Sequence, residues 1–329
     1  HLRGVSLTTT VEARGAGLAP WVEAVADPSF EPEDLELERR VILAELELLH
    51  DDPSELVEEA LLRAAWDGHS LARPVIGTRE SVRSLDAETL RAHHRDLIAP
   101  GRLVVAVAGD LNGLDANGRL DRLGLGTEPV RPELPPLEWQ GLRETVTRSW
   151  ADQVHTRMAF EAIASGDDRL AALSVLNRLL GVGAASRLFQ KLREGEGLTY
   201  DIWSALSVRG PGGLLEIGWA CAPGVNHQVW DMVVAEVERL AKDLDPDEVE
   251  VAREGLLRGL RMDSDLPVAR CAMDVAEVLD RGRRFDLATI KTELGSVTTD
   301  EVRDLAQSIL RPEHMAAAVC GPEGTELPG

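Results

Sequence analysis

The feature that most constrains the fold of this 329-residue chain is an internal repeat. The segment SLDAETLRAHHRDLIAPGRLVVAVAGDL, which begins at Ser84, aligns without a gap with SVTTDEVRDLAQSILRPEHMAAAVCGPE, which begins at Ser296. At a spacing two residues longer, EPEDLELERR from Glu31 aligns with DPDEVEVARE from Asp245. Self-similarity at a nearly fixed spacing is typical of a duplicated structural unit. The sequence therefore predicts two domains of one fold.

The order of the predicted elements indicates the α+β class. Apolar residues at helical spacing predict helices, and runs rich in β-branched residues predict strands at 5–13, 103–108, 145–150, 155–161, 198–208, 213–222 and 315–320. We expect two duplicated domains, each an antiparallel β-sheet with helices packed on one side. The N-terminal domain is predicted at 1–125, a proline-rich linker at 126–144 and the C-terminal domain at 145–329. By the repeat, the N-terminal domain is expected to lack its first third.

Composition restricts the partners. Asp and Glu number 57 against 35 Lys and Arg, which gives a net charge of −22 and argues against nucleic acid or an anionic membrane as a general partner. The longest apolar run, 103–108, is too short to span a bilayer. The three cysteines have no C-x-x-C spacing, which favours reduced thiols. We therefore expect a cytoplasmic protein that binds neither nucleic acid nor membrane.

An acidic helix predicted at 31–51 carries the first candidate site. At helical spacing, Glu38, Val41, Glu45 and Leu48 share one stripe, so two carboxylates are expected on one partly buried face. Paired arginines or a solvated edge would also explain these charges. The repeat places Ala252 and Gly259 opposite Glu38 and Glu45, so the duplicate keeps the helix without the carboxylates. The fold itself therefore does not require them.

The chain resembles the pitrilysin/insulinase family of zinc metallopeptidases, in the short bacterial form related to mitochondrial processing peptidase subunits. The blocks that carry the resemblance span essentially the whole chain: ERRVILAELELLHDDP, HSLARPVIGT, PGRLVVAVAGDL, GAASRLFQKLREGEGLTYDIWS and CGPEG. Because these blocks occur together and in order, the resemblance is specific.

The resemblance implies a Zn²⁺ site built from H-x-x-E-H on one helix and a glutamate on another, the inverzincin arrangement. Glu45 is at the position of the third zinc ligand, and Glu38 is at a position behind the ligands, where it would orient a histidine. No H-x-x-E-H occurs in the 329 residues. We expect that motif either upstream of His1 or on a partner chain.

The resemblance also marks Arg193 and Tyr200 as an R/Y pair that grips the substrate backbone and stabilises an oxyanion. Tyr200 is the only tyrosine in the chain. Arg193 ends a predicted helix and Tyr200 enters a predicted strand, so a turn at Gly195 and Gly197 could bring guanidinium and phenol together. In isolation, Arg193 would be read as capping helix carbonyls and Tyr200 as packing at a strand end.

Three functions follow from the resemblance. The leading one is a subunit of a zinc endopeptidase that cleaves peptides in a closed chamber between paired domains, as a homodimer or as a heterodimer with a related subunit. The second is a non-catalytic partner that lends Arg193 and Tyr200 to the zinc site of another chain. The third is a structural assembly subunit without peptidase activity.

Overall fold

The structure is a computed structural model that describes residues 6, 8, 14–112, 115, 118, 120–126 and 135–328. The strand predicted at 5–13 falls almost wholly outside these residues. The chain divides into two compact units, one comprising residues 1–46, 76–133 and 261–285, the other 47–75, 134–260 and 286–329. Each unit is described by itself below.

The described residues form helices and one sheet. The helices are α1 Arg14–Ala26, α2 Pro32–His50, α3 Pro53–Trp66, α4 Arg79–Ser84, α5 Ala87–Leu97, α6 Leu170–Gly181, α7 Asn226–Lys242, α8 Pro246–Ser264, α9 Pro267–Arg281, α10 Leu287–Ser296 and α11 Thr299–Ile309, with a π-helix at Phe189–Gly195. The strands are β1 Arg143–Thr147, β2 Val154–Ala162, β3 Asp201–Arg209, β4 Gly212–Cys221 and β5 Ala316–Gly321. No described helix has the length and hydropathy needed to cross a membrane.

The internal repeat recurs helix by helix. Helices α2 and α8 each have 19 residues and begin at Pro32 and Pro246, the spacing of the second sequence alignment. Helices α5 and α11 each have 11 residues and follow the N-cap residues Asp86 and Thr298, the spacing of the first alignment. Both caps accept a hydrogen bond from a backbone N–H of the first helical turn, which satisfies a donor that the helix cannot. The duplication therefore extends to where helices begin and end.

The second unit contains a five-stranded sheet in the order β1-β5-β2-β4-β3. The pairs β2–β5, β2–β4 and β3–β4 are antiparallel, whereas β1 runs parallel to β5. The α+β class is confirmed, but the sheet is mixed and not purely antiparallel as predicted. A parallel pair needs a long crossover, and the chain supplies one because nearly all of the C-terminal half separates β1 from β5.

Helices cover both faces of this sheet. Along β2, Met158 and Phe160 point into one core with α6, α7 and α11, while Ala159 points to the opposite face, as strand alternation requires. Opposite faces that are both apolar must both be covered. The sequence predicted helices on one side only, and the difference arises because β5, AAAVCG, is buried along its whole length.

Helix α3 covers the second face. Its residues Leu56, Val57, Ala60, Leu61 and Ala64 are buried against the alanines of β5. Small side chains on both sides let the helix axis lie close to the sheet. The backbone N–H groups of residues 140 and 142 donate to the carbonyl oxygens of residues 65 and 64, which fixes the end of α3 beside β1. An early segment of the chain thus completes the core of the later one.

The first unit holds α1, most of α2, α4, α5 and α9. Leu18 and Val22 of α1 pack with Leu123, and Leu103 and Val105 contact this small core. The strand predicted at 103–108 forms no ladder with another described segment. The Cys271 thiol of α9 lies 3.5 Å from the carbonyl oxygen of Ala106. In the repeat α9 corresponds to α3, so each of these equivalent helices belongs to the unit of the other half.

The predicted domain boundaries stay a prediction. Compact units are defined by contacts, whereas the boundaries 1–125, 126–144 and 145–329 were drawn from the duplication and from composition. The two descriptions differ because residues 47–75 belong to the second unit and residues 261–285 to the first. Much of the predicted linker, residues 127–134, lies outside the described residues.

Replacing Leu61 by Ala tests whether α3 completes the sheet core. Leu61 is 1% exposed, so the truncation should lower the free energy of unfolding by about 2–5 kcal/mol through lost burial and a cavity. Urea denaturation followed by tryptophan fluorescence measures the loss. Leu48→Ala is the control, since Leu48 is 70% exposed and its truncation should cost less than about 0.5 kcal/mol. Equal losses from both variants would contradict this packing.

Candidate functional site

Arg193 is presented by the π-helix Phe189–Gly195. The backbone N–H of Glu196 donates to the carbonyl oxygen of Lys191 at 3.2 Å, the five-residue spacing that defines this helix type. Leu192 is fully buried and anchors the inner side of the helix. Gly197 has φ of 63°, which glycine adopts without steric cost, and the chain turns there towards β3. The helix predicted at 186–194 is present, with a wider geometry than predicted.

The structure brings Arg193 and Tyr200 together. The guanidinium carbon of Arg193 lies 4.7 Å from the ring centroid of Tyr200 and 4.7 Å from that of Phe189. A guanidinium over an aromatic face is attracted by the ring quadrupole, with about 0.5–1 kcal/mol at an exposed site. The Tyr200 ring is 81% exposed, so the phenol remains available to a ligand. The arrangement offers two hydrogen-bond donors at one surface point.

Phe189 is a member of this cluster that the sequence analysis missed. It precedes Arg193 by four residues, and side chains at that spacing on a helix lie next to each other. The helical spacing in FQKLR therefore contained the signal. With an aromatic ring on each side, the guanidinium is restricted to a narrow range of positions.

The residues after the π-helix hold Tyr200 in place. Thr199 is buried, and its hydroxyl oxygen lies 2.7 Å from the carbonyl oxygens of Asp201 and Ala220. These contacts join the start of β3 to the end of β4. Because β3 is a terminal strand of the sheet order, Tyr200 stands at the beginning of a sheet edge. Extended peptides bind such edges by main-chain hydrogen bonds.

A cavity of about 420 Å³ adjoins the pair. Its lining combines the side chains of Arg193 and Tyr200 with segments on either side, and the remaining lining residues are Gln153, Glu194, Gly197, Leu198, Thr199, Ala220, Cys221 and Ala222. Burial raises the pKa of the Cys221 thiol to about 11. The thiol is therefore protonated at neutral pH and is unsuited to act as a nucleophile.

Glu38 and Glu45 lie on one stripe of α2, but both are exposed. Val41 and Leu48 on the same stripe are 42% and 70% exposed. The expectation of a partly buried face is therefore wrong for the described structure. The reason is that α2 turns a different stripe inward, on which Leu46 is 4% exposed.

The two carboxylates make no hydrogen bond or ion pair with any residue that the structure describes. Of the explanations open from the sequence, the solvated edge matches their placement. Glu38 and Glu45 belong to the first compact unit, and Arg193 and Tyr200 to the second. The roles assigned to all four residues stay predictions.

The described residues do not by themselves fit a zinc site. Within the described parts of the chain, no three His, Cys, Asp or Glu side chains come close enough to hold a metal ion. A catalytic zinc site takes three protein ligands, of which Glu45 could be one. A zinc ion bound at Glu45 would therefore need further ligands beyond those described.

Comparisons with known proteins place these observations in a family. Residues 15–79 match the family model described as insulinase, peptidase family M16, and residues 84–256 match the one described as peptidase M16 inactive domain. An uncharacterized zinc protease of Mycobacterium tuberculosis is 32% identical over 323 residues, which is 95% of this chain and 74% of that protein. The mitochondrial-processing peptidase subunit beta of Caenorhabditis elegans is 24% identical, over 91% of this chain and 68% of that protein.

The fold has a solved counterpart. A crystal structure of a peptidase M16 inactive domain from Pseudomonas fluorescens superposes with a TM-score of 0.84 at 22% identity. The match covers 97% of this chain and 78% of that one. At this level of identity the similarity shows the shared fold and nothing about chemistry.

The stability of the protein should fall in alkaline solution because of Cys221. Burial raises the folded-state pKa of its thiol from 9.0 to about 11, so the unfolded state releases a proton first as the pH rises. The contribution is complete below pH 9 and is lost towards pH 11. Thermal unfolding of Cys221→Ala should show a shallower decline in Tm over this range than the unchanged protein. Parallel declines would contradict the assignment to Cys221.

Proposed function

Since this chain belongs to the insulinase (M16) family of peptidases, we propose that it is a subunit of a zinc-dependent endopeptidase. The observation that carries the proposal is the Arg193 guanidinium held over the Tyr200 ring beside a cavity and a sheet edge. A family match alone would not say which part of the chain touches the substrate. This cluster is suited to contact a peptide.

The proposed substrate is a peptide in extended conformation. Its backbone would lie near the start of β3, where a terminal strand offers unpaired main-chain groups. The guanidinium and the phenol would donate hydrogen bonds to a peptide carbonyl oxygen. Donors fixed where negative charge develops stabilise the transition state more than the ground state, because their positions need no reorganisation. Phe189 would keep the guanidinium in place.

Zinc would enter through Glu45. The M. tuberculosis relative is named a zinc protease, and Glu45 is an exposed carboxylate without a described partner. In the proposed assembly Glu45 is one ligand, and the histidines come from outside the residues described above. When bound, zinc would supply an activated water molecule. Glu38, two turns earlier on the same stripe, would orient a ligand.

A non-catalytic partner is the second candidate. Two observations favour it: residues 84–256 match a model described as an inactive domain, and the 329 residues contain no H-x-x-E-H. In that case Arg193 and Tyr200 would act in the zinc site of a different chain. The two candidates make the same prediction for Arg193 and opposite predictions for Glu45.

Arg193→Ala should lower kcat for peptide cleavage about 100-fold, because one donor to the developing oxyanion is removed. The assay uses the complete assembly isolated through an affinity tag on this chain and a peptide with a fluorophore and a quencher. Arg258→Ala is the control, since its side chain is 72% exposed on α8. Unchanged cleavage by the Arg193 variant would remove the pair from the active site.

Glu45→Gln should abolish stoichiometric zinc in the same assembly if this chain holds the metal. Glutamine keeps the size of the side chain but loses the charge that a zinc ligand provides. Metal content is measured by mass spectrometry of the dialysed assembly. Glu33→Gln, on the first turn of α2, is the matched control. Full zinc content in Glu45→Gln together with lost cleavage in Arg193→Ala would establish the non-catalytic partner.

A further inference from the structure

A buried carboxylate lies beneath the π-helix that presents Arg193. Glu236 of α7 is 1% exposed. One of its oxygens accepts from the Lys191 ammonium at 3.1 Å, and the other lies 3.6 Å from the Arg187 guanidinium and 3.4 Å from that of Arg239. A buried charge is strongly unfavourable unless it is paired, so three cations around one carboxylate form a tightly determined arrangement.

Arg187 fastens the start of the same segment. Its side chain is 8% exposed and donates to the carbonyl oxygen of Asp243 at 2.7 Å. It also forms an ion pair with Glu248 at the beginning of α8. The residues leading into the π-helix are thus tied to two helices by charge-assisted hydrogen bonds, which are stronger than neutral ones.

Lys191 and Arg193 lie on opposite sides of the π-helix. A separation of two residues turns a side chain roughly half-way round a helix, so one of them faces α7 while the other faces outward. On the inner side Lys191 contacts Glu236, and on the outer side Arg193 stacks between Phe189 and Tyr200. Fixing the inner side therefore fixes the rotation of the helix about its axis, and with it the position of Arg193.

A π-helix needs such support. Its five-residue hydrogen-bond spacing is less favourable than that of an α-helix, and such turns persist where surrounding contacts hold them. Among the described residues, the bond from Lys191 to Glu236 is the side-chain hydrogen bond that joins this helix to α7. Loss of that bond would let the helix rotate or rewind while its leucine stays buried.

We propose that Glu236 and Lys191 are positioning residues that hold Arg193 over the Tyr200 ring through the π-helix. Neither residue touches the substrate. The inference rests on the proposed function for its consequence in peptide cleavage. The geometric coupling itself can be measured without any activity, because Tyr200 is the only tyrosine in the chain.

The experiment is fluorine NMR of the full chain with 3-fluorotyrosine incorporated, which gives one resonance from the position of Tyr200. Arg193→Ala should move this resonance, because a cation is removed from the ring face. Lys191→Met should move it in the same direction, and Lys191→Arg should return it to its original position. Glu236→Gln should act like Lys191→Met. Glu238→Gln is the matched control, since Glu238 forms an exposed ion pair with Lys242 on the same helix.

A double variant separates coupling through Arg193 from a general disturbance. In the Arg193→Ala background, Lys191→Met should cause no further movement, because the residue through which it acts is absent. A movement as large as that in the unchanged background would overturn the proposal. An unmoved resonance in folded Lys191→Met, or in Arg193→Ala itself, would also overturn it. Circular dichroism checks folding, and Lys191→Met leaves Glu236 paired with two arginines should Glu236→Gln fail to fold.

The outcome is distinguishable from the test of the proposed function. A resonance that follows the predicted pattern while Arg193→Ala leaves cleavage unchanged would support the positioning network and reject the catalytic role. Lost cleavage with an unmoved resonance would do the reverse. If both hold, Lys191→Met should lower kcat several-fold with little change in KM, and Lys191→Arg should restore it.

Discussion

Burial of both faces of the five-stranded sheet is the constraint on which the rest of the second unit depends. Strand β5 has no polar side chain to expose, so α3 must cover one face while α6, α7 and α11 cover the other. The π-helix belongs to this second layer, because Leu188 and Leu192 are buried in the same core. The surface cluster around Arg193 is therefore mounted on the packed sheet and not on an independent loop.

The contrast between the two candidate sites follows from this packing. Arg193 and Tyr200 sit on elements whose other sides are fixed, one by leucines and a buried ion pair, the other by strand pairing. Glu45 sits on the outer stripe of a helix with a single buried residue, Leu46. Donors held in this way need little reorganisation to meet a ligand, whereas a solvated carboxylate must be desolvated and oriented by what binds it.

The sequence predicted what depends on local spacing and on duplication. The bounds of α3 and α5 and the meeting of Arg193 with Tyr200 follow from caps, periodicity and the Gly195 turn. The inward stripe of α2 did not follow, because Leu35 and Leu49 on one strip and Val41 and Leu48 on the other are both apolar, and only tertiary contacts choose between them. Parallel pairing of β1 with β5 and the place of α3 are long-range features that no local pattern records.

The exchange of α3 and α9 between halves has a consequence for assembly of the chain during folding. The sheet that α3 completes is made of strands that lie roughly 80 or more residues further along, so its contacts have high sequence separation and close late. A ribosome that has released only the first half has produced a helix without its core. The two halves are thus obligate folding partners, and a chain cut between them would recover structure by complementation of fragments, not by independent folding of each.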